Sequence, residues 1–125
     1  MKKEEHIQIA VCTFLKYQYP DLIWCCDLSA GMKLTIGQAV KAKKMRSNRG
    51  LPDIMIFCPT SKYAGLFLEL KTQSPYLKDG MTLKSDEHLQ EQAAIHQKLI
   101  DKGYYACFVS GVDEAIMAIK NYMKN

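Results

Sequence analysis

The chain has 125 residues, of which 48% are hydrophobic and 24% are charged, and its formal net charge is +4. This length suits a single domain with one core, and the composition is ordinary for a globular protein. No apolar stretch approaches the roughly 20 residues that cross a bilayer, and no secretory signal opens the chain. We therefore expect one domain over residues 1–125, a cytoplasmic location and no membrane partner.

The cysteines argue against two further classes of protein. Their number is odd, and they form neither a CxxC pair nor a zinc-finger spacing with histidine, so neither a disulfide framework nor a zinc site is indicated. A free cysteine behaves as a small hydrophobic residue. We expect unpaired core thiols in a reducing compartment.

The first half of the chain predicts two helices separated by a short strand. Apolar residues recur at helical spacing over about residues 3–18, and Pro20 ends this helix. Residues 22–28 form a short strand-like run. Residues 35–46 predict a second, basic helix, and the glycine and proline within 48–52 predict a turn.

The second half predicts a hairpin, a loop and a further strand between two helices. Strands are expected at 53–58 and 64–70, joined by a short turn that suits antiparallel pairing. The polar loop at 72–85 is long enough to contact a ligand, and a helix at 86–102 ends at Gly103. A further strand and a final helix follow at 104–109 and 112–123. This order predicts an α/β domain with a central sheet flanked by helices.

Charged residues lie at the ends of the two predicted hairpin strands. Asp53 opens the first strand, and Glu69 and Lys71 close the second. Side chains two residues apart on a strand point to the same face, so Glu69 and Lys71 project together and the neighbouring strand can bring Asp53 beside them. Two carboxylates and an ammonium on one rim predict a divalent-metal site with a cation directed at phosphate. The alternative is an ordinary surface ion pair, which contributes little to stability.

Cationic residues are concentrated before Asp53. No acidic residue lies between Asp27 and Asp53, whereas Lys33, Lys41, Lys43, Lys44, Arg46 and Arg49 all fall there. Clustered cations are typical of a protein that binds a polyanion. We call residues 33–49 the basic segment and predict that it binds nucleic-acid phosphates and leads them to the metal site. The alternative is a solvated helix face.

The residues around the predicted metal site resemble a known nuclease signature. Pro52-Asp53, followed by Glu69-Leu70-Lys71, looks like the PD-(D/E)xK motif. The approach Asn48-Arg49-Gly50-x-Pro52-Asp53 is similar to the VRR-NUC branch of that superfamily, the virus-type replication-repair nucleases.

Two helices extend this resemblance to nearly the whole chain. An N-terminal helix contains glutamate, and the later helix carries Gln92…Leu99…Gly103 in the family's order. The resemblance implies a restriction-endonuclease-like αβββαβ core, with a mixed central sheet flanked by helices. It also implies a stand-alone domain of the type that phages carry, acting in the cytoplasm of a bacterial host.

The resemblance implies a metal-dependent active site. Asp53 and Glu69 would bind Mg²⁺, and the backbone carbonyl of Leu70 would supply a third oxygen, because hard oxygen ligands suit this ion. Mn²⁺ is expected to substitute for it. Lys71 would orient the attacking water or stabilise the charge that develops on the phosphate. No small-molecule cofactor is expected.

Two helical residues complete the predicted catalytic set. Helical geometry places Glu4 in line with Ile7 and Val11, whereas Glu5 falls beside that face. The family carries a helical glutamate before an aliphatic residue at this spacing, which selects Glu4; the alternative is a first-turn acid favoured by the helix dipole. The family's spacing back from the terminal glycine selects Gln92, which is otherwise only a good helix former.

Three functions are compatible with these residues. The first is a Mg²⁺-dependent DNA endonuclease that resembles Holliday-junction resolvases and works as a homodimer, since symmetric cutting of paired strands needs two sites related by a twofold axis. The second is a restriction-type or flap nuclease with the same centre. The third is a non-catalytic nucleic-acid-binding module, which has no need of adjacent carboxylates beside phosphate.

Overall fold

Eight helices and strands follow one another along residues 3–27 and 33–125, the part of the chain that the computed structural model describes. In chain order they are α1 (Lys3–Gln18), β1 (Trp24–Cys26), α2 (Ile36–Lys44), β2 (Ile54–Ile56), β3 (Leu66–Lys71), α3 (Glu87–Asp101), β4 (Tyr105–Ser110) and α4 (Gly111–Met123). The order and type of every element agree with the prediction from the sequence.

The strands form one mixed sheet in the order β1-β2-β3-β4. β1 pairs with β2 and β2 with β3 in antiparallel fashion, whereas β3 and β4 run parallel. The predicted hairpin is therefore confirmed, with Ile54 opposite Leu68. The predicted fold class is confirmed as well, because helices flank a mixed sheet in the order expected of an αβββαβ core.

The main core lies on one face of this sheet. Leu66, Leu68 and Leu70 alternate along β3 and are almost completely buried there. α1 and α4 cover them with residues four positions apart on each helix, Val11 and Leu15, and Ala115 and Ile119. The helical periodicity of the sequence thus places both helices on the same face.

The opposite face of the sheet is covered by α3. Phe67, Glu69 and Lys71 alternate with the buried leucines and so point to this face. α3 packs against β4, where the His96 ring lies 4.5 Å from the Phe108 ring. The end of β3 that carries Glu69 therefore lies between the two helical layers.

Several element boundaries differ from the prediction. β1 and β2 have three residues each, fewer than the predicted 22–28 and 53–58, and residue 28 lies outside the described residues. α2 begins one residue later than predicted because Thr35 caps it: the Thr35 side chain accepts a hydrogen bond from the Gln38 N–H at 3.1 Å, and the Thr35 N–H donates to the Gln38 side chain.

The cysteines are unpaired, but the expectation that all are core thiols is wrong. Cys25 is exposed, and the other four are only partly buried. The reason is the alternation of β1, in which Cys25 points away from the face that Trp24 and Cys26 present to the core. Within residues 3–27 and 33–125, no helix combines the length and apolarity needed to cross a membrane.

Candidate active site

The sheet topology brings the predicted site residues to one end of β3. Because β2 runs antiparallel to β3 and Ile54 faces Leu68, the residue before β2 lies beside the residue after Leu68. Asp53 and Glu69 occupy those two positions. β4 runs parallel to β3, so its Phe108 lies beside Glu69 at the same end.

Asp53 is held on both sides by main-chain hydrogen bonds. Its Oδ2 accepts from the Leu70 N–H at 2.8 Å, and its carbonyl oxygen accepts from the Asp27 N–H at 2.7 Å. Asp53 is only 9% exposed, and Pro52 before it is fully buried. The main chain of β3 therefore fixes the carboxyl group, and the residue after β1 fixes the Asp53 carbonyl.

Glu69 is a buried carboxyl group whose charge Lys71 compensates only in part. Its exposure is 3%, and its Oε1 has no hydrogen-bond partner among the described residues. Burial, a hydrogen bond with Asp53 and the charge of Asp53 together raise the pKa of Glu69 to about 10, and the charge of Lys71 opposes the change only in part. Two carboxyl groups in such a place hold a proton or a cation between them.

Lys71 is positioned by α3 and β4. Its Nζ donates a hydrogen bond to Gln92 Oε1 at 2.7 Å and lies 5.8 Å from the centre of the Phe108 ring. Gln92 is itself 4% exposed. Gly50, with a φ of 75°, lets the turn before Pro52 approach Gln92 closely, since a Cβ there would lie 3.4 Å from the Gln92 side chain.

A buried histidine lies behind the lysine. His96 is 5% exposed, and its Nε2 has no hydrogen-bond partner in the described part of the chain. Burial and, to a smaller extent, repulsion from the Lys71 ammonium together lower the pKa of His96 to about 4. The imidazole is therefore neutral at physiological pH and acts as packing beneath Phe108 and Lys71.

A common cavity of about 440 Å³ is lined by Asp53, Glu69, Lys71 and Gln92. Every residue predicted for catalysis or metal binding lines it, namely Glu4, Asp53, Glu69, Leu70, Lys71 and Gln92. Glu5 does not line it, and the Glu4 charge contributes to the raised pKa of Glu69. We call Asp53, Glu69, Lys71 and Gln92 the carboxylate rim.

The basic segment is divided by the structure. Arg46 lines the cavity together with Ala42 and Met45, so one predicted phosphate contact is beside the carboxylate rim. The other predicted cations are exposed and do not line it: Lys33, Lys41, Lys43, Lys44 and Arg49. α2 has no buried residue, and Ile36 at its start is 87% exposed.

The comparisons with known proteins bear on the fold. No family model and no curated protein matches the chain. A solved structure named VRR_NUC domain protein superimposes with a TM-score of 0.68 over 99% of this chain and 90% of its own, at 22% sequence identity. This chain has the VRR_NUC fold. The similarity predicted from Pro52-Asp53 and Glu69-Leu70-Lys71 is confirmed at the level of structure.

Several residues of this cavity were not found from the sequence. Gln8, Asp27 and His88 line it as well. Gln8 could have been found, because it lies one helical turn after Glu4. Asp27 follows a three-residue strand, and only the pairing of β1 with β2 brings it to Asp53.

The donor set at the carboxylate rim fits a hard divalent cation. Within residues 3–27 and 33–125 no three His, Cys, Asp or Glu side chains converge on one point. Mg²⁺ does not require three such side chains, because it keeps several waters and binds through one or two carboxylates. The N–H and C=O of one strand residue point to the same side, so the Leu70 carbonyl points to the side on which its N–H contacts Asp53. The partnerless oxygen of Glu69 is the group that such an ion would satisfy.

Proposed function

We propose that this chain is a Mg²⁺-dependent DNA endonuclease that hydrolyses phosphodiester bonds. The observation that carries the proposal is the meeting of two buried carboxyl groups, Asp53 and Glu69, beside the ammonium of Lys71 in one cavity. A pair of this kind is unfavourable in a merely structural role, because each charge raises the free energy of ionising the other. The likeness of the whole chain to a VRR_NUC domain protein supports it.

Asp53, Glu69 and the Leu70 carbonyl would hold the metal ion, for which Mn²⁺ would substitute. When bound, the ion supplies positive charge to the phosphate and makes a water molecule a usable nucleophile near neutral pH. The hydrogen bond from the Leu70 N–H holds one oxygen of Asp53, and Asp53 lines the cavity. That rigidity matters because Mg²⁺ demands near-ideal octahedral geometry.

Lys71 would contact the phosphate and Gln92 would position Lys71. An ammonium has three N–H donors, and one of them is taken by Gln92 Oε1. The remaining two can contact a phosphate oxygen, where they stabilise charge that develops in the transition state. Glu4, at the cavity wall, would orient the attacking water.

The substrate that we propose is branched DNA, cut by a homodimer. Symmetric cleavage of two strands needs two active sites related by a twofold axis, which a dimer provides. Arg46 and the exposed lysines of the basic segment would bind phosphates in a sequence-independent way. A restriction-type or flap nuclease would share the carboxylate rim and differ only in the DNA it accepts.

A panel of DNA substrates tests the activity directly. The protein is incubated with plasmid, linear duplex, flap and four-way junction DNA, each with Mg²⁺, with Mn²⁺ and with EDTA. We expect metal-dependent cleavage that EDTA abolishes, and the fastest cutting on the junction. Faster cutting of duplex or flap DNA would favour the restriction-type or flap nuclease.

Binding without cleavage would support the remaining alternative, a nucleic-acid-binding module. Cleavage that survives in EDTA would exclude the proposed metal centre. Sedimentation of the protein with and without junction DNA then tests the dimer, since a monomer in both conditions would leave symmetric cutting without a physical basis.

A further inference from the structure

The segment that the sequence predicts as a polar loop, residues 72–85, is a folded arm. Tyr76 and Leu83 form an antiparallel bridge, and the Leu77 N–H donates to the Thr82 carbonyl at 2.8 Å. Asp79 closes the tip, because its Oδ1 accepts from the Met81 and Thr82 N–H groups at 2.9 Å. The arm follows directly from Lys71 and returns to the start of α3.

The base of this arm encloses a second recess of about 180 Å³. Lys71 and Glu4 line this recess as well as the main cavity, so the two spaces meet at those residues. The other polar groups of the recess belong to the arm, namely Thr72, Gln73, Ser74 and Lys84. Lys84 is outside the basic segment and lines only the recess.

The chemistry of the recess is that of an anion site. It contains the ammonium groups of Lys71 and Lys84 against one carboxylate, that of Glu4, and hydroxyl and amide donors from the arm. Ser74 Oγ accepts from the Tyr76 N–H at 3.2 Å, which leaves its own hydrogen free to donate. Charge-assisted donors of this kind are those that bind phosphate oxygens.

The main chain of Lys84 is held in place before any ligand arrives. Its N–H donates to the Pro75 carbonyl at 2.9 Å, and its own carbonyl accepts from Gln90 Nε2 at 3.0 Å. Both main-chain groups are thus fixed, one by the arm and one by α3. Pro75, which the recess also contacts, is buried. Such preorganisation lowers the entropy lost when a ligand is bound.

We propose that this recess binds a second phosphodiester group of the nucleic-acid strand, next to the one that is cut. The inference rests on the proposed function, because it takes the main cavity as the place of the scissile phosphate. The strand would pass from Arg46 across Lys71 to Lys84, since Arg46 lines only the main cavity, Lys84 only the recess, and Lys71 both. The arm would therefore bind the nucleic-acid backbone on one side of the scissile phosphate.

Neutral backbone linkages test this assignment. A set of otherwise identical single-stranded oligonucleotides carries one uncharged methylphosphonate each, walked along the strand, and binding is measured in EDTA so that metal-dependent cleavage does not interfere. For the wild-type chain, neutralising any phosphate that the protein binds should lower affinity by about threefold or more, the size of effect that salt dependence implies for one phosphate.

In Lys84→Ala, a methylphosphonate at one position of this walk should no longer lower the affinity. The loss of affinity at the other positions should be unchanged. Lys78→Ala is the matched control, because Lys78 belongs to the same arm, is exposed and lines neither space. It should behave as the wild type. Lys84→Arg, which keeps the charge, should still lose affinity when that phosphate is neutralised. Ser74→Ala should weaken the same position, and it serves as the test if Lys84→Ala lowers the melting temperature.

The outcomes separate this inference from the proposed function. Suppose that in Lys84→Ala a methylphosphonate still lowers affinity at every position where it does so in the wild type, or that its effect shrinks evenly at all of them, as a general loss of charge would cause. The recess is then not a phosphate subsite. If the position depends on Lys84 but the wild-type chain cuts no DNA in Mg²⁺, the subsite stands and the nuclease proposal fails. If the wild-type chain binds none of these single strands but cuts the junction in Mg²⁺, the subsite proposal fails and the nuclease proposal stands.

Discussion

The carboxylate rim and the basic segment are built in opposite ways. Asp53 and Glu69 are nearly inaccessible, and Asp53 and Lys71 are each held by a hydrogen bond to a neighbouring element. The cations of the basic segment are exposed, and α2, which carries three of them, has no buried residue. One region is fixed by the sheet, and the other is attached to it loosely.

This difference follows from what each region is proposed to do. A metal site requires ligand positions accurate to a few tenths of an ångström, which only packed main chain provides. Attraction of a polyanion by lysine depends on charge over a distance of about a Debye length and tolerates mobile side chains. Substitutions in the rim should therefore change catalysis, and substitutions in the basic segment should change affinity.

The largest expected effect is that of Asp53→Asn on cleavage. We expect a rate loss of at least about 100-fold, the upper range seen when a partner of a metal ligand is removed, because one ligand charge is lost. The fold should persist, since an asparagine oxygen can still accept from the Leu70 N–H. Cleavage rates and a thermal melt measure both. Asp113→Asn, exposed in α4, is the control; a wild-type rate for Asp53→Asn would contradict the proposed centre.

Glu4 and Glu5 allow a matched test of the glutamate that α1 contributes to the cavity. Glu4→Gln should slow metal-dependent cleavage about tenfold, the lower range for outer-shell partners, because Glu4 lines the cavity and Glu5 does not. Higher Mn²⁺ should partly restore it. Glu5→Gln should have little effect. Should Glu5→Gln be the inactive variant instead, the register of α1 would be wrong, and two active variants would limit the site to the carboxylate rim.

The basic segment should affect binding of all DNA sequences alike. Replacing Lys41, Lys43 and Lys44 together with alanine should lower affinity and reduce the slope of log affinity against log salt by about one unit for each phosphate that is no longer bound. The rate of cleavage at saturating DNA should stay near the wild-type value. The control replaces three exposed lysines elsewhere, Lys98, Lys102 and Lys124. An unchanged salt slope would assign the basic segment to an ordinary solvated surface.

The smallest expected effect is a change of stability at Glu69. Its folded pKa lies above the ordinary value of 4.5, so the folded state keeps a proton that the unfolded chain releases, and stability declines as pH rises from about 4.5 towards 10. Glu69→Gln cannot ionise. At pH 8 without metal it should be more stable by about 1–3 kcal/mol, the usual penalty of a buried unpaired polar group, and the difference should vanish near pH 4.

The same variant reports on the metal without any cleavage assay. Mg²⁺ should raise the melting temperature of the wild-type chain, because it binds the folded state only, and should release the proton that Glu69 holds. Glu69→Gln should show neither effect. Equal melting curves for the two proteins at both pH 8 and pH 4 would mean that folding does not raise the pKa of Glu69.

The sequence by itself determined the order of elements and most of the candidate site. Asp53, Glu69 and Lys71 could be assigned because a strand repeats every two residues and the hairpin between 53 and 71 is local. Helical periodicity relates Glu4 to Ile7 and Val11, and the family's spacing then selected Glu4 over Glu5. Gln92 came from the family spacing, and its hydrogen bond with Lys71 agrees with that choice.

Only the tertiary structure decided the rest, because those features depend on contacts between distant parts of the chain. The parallel pairing of β4 with β3 and the approach of Asp27 to Asp53 leave no periodic pattern in the sequence. The two sides of the arm at 72–85 are joined by main-chain hydrogen bonds, for which any residue except proline can donate. Its composition is that of a polar loop, and only its folding places Lys84 beside Lys71.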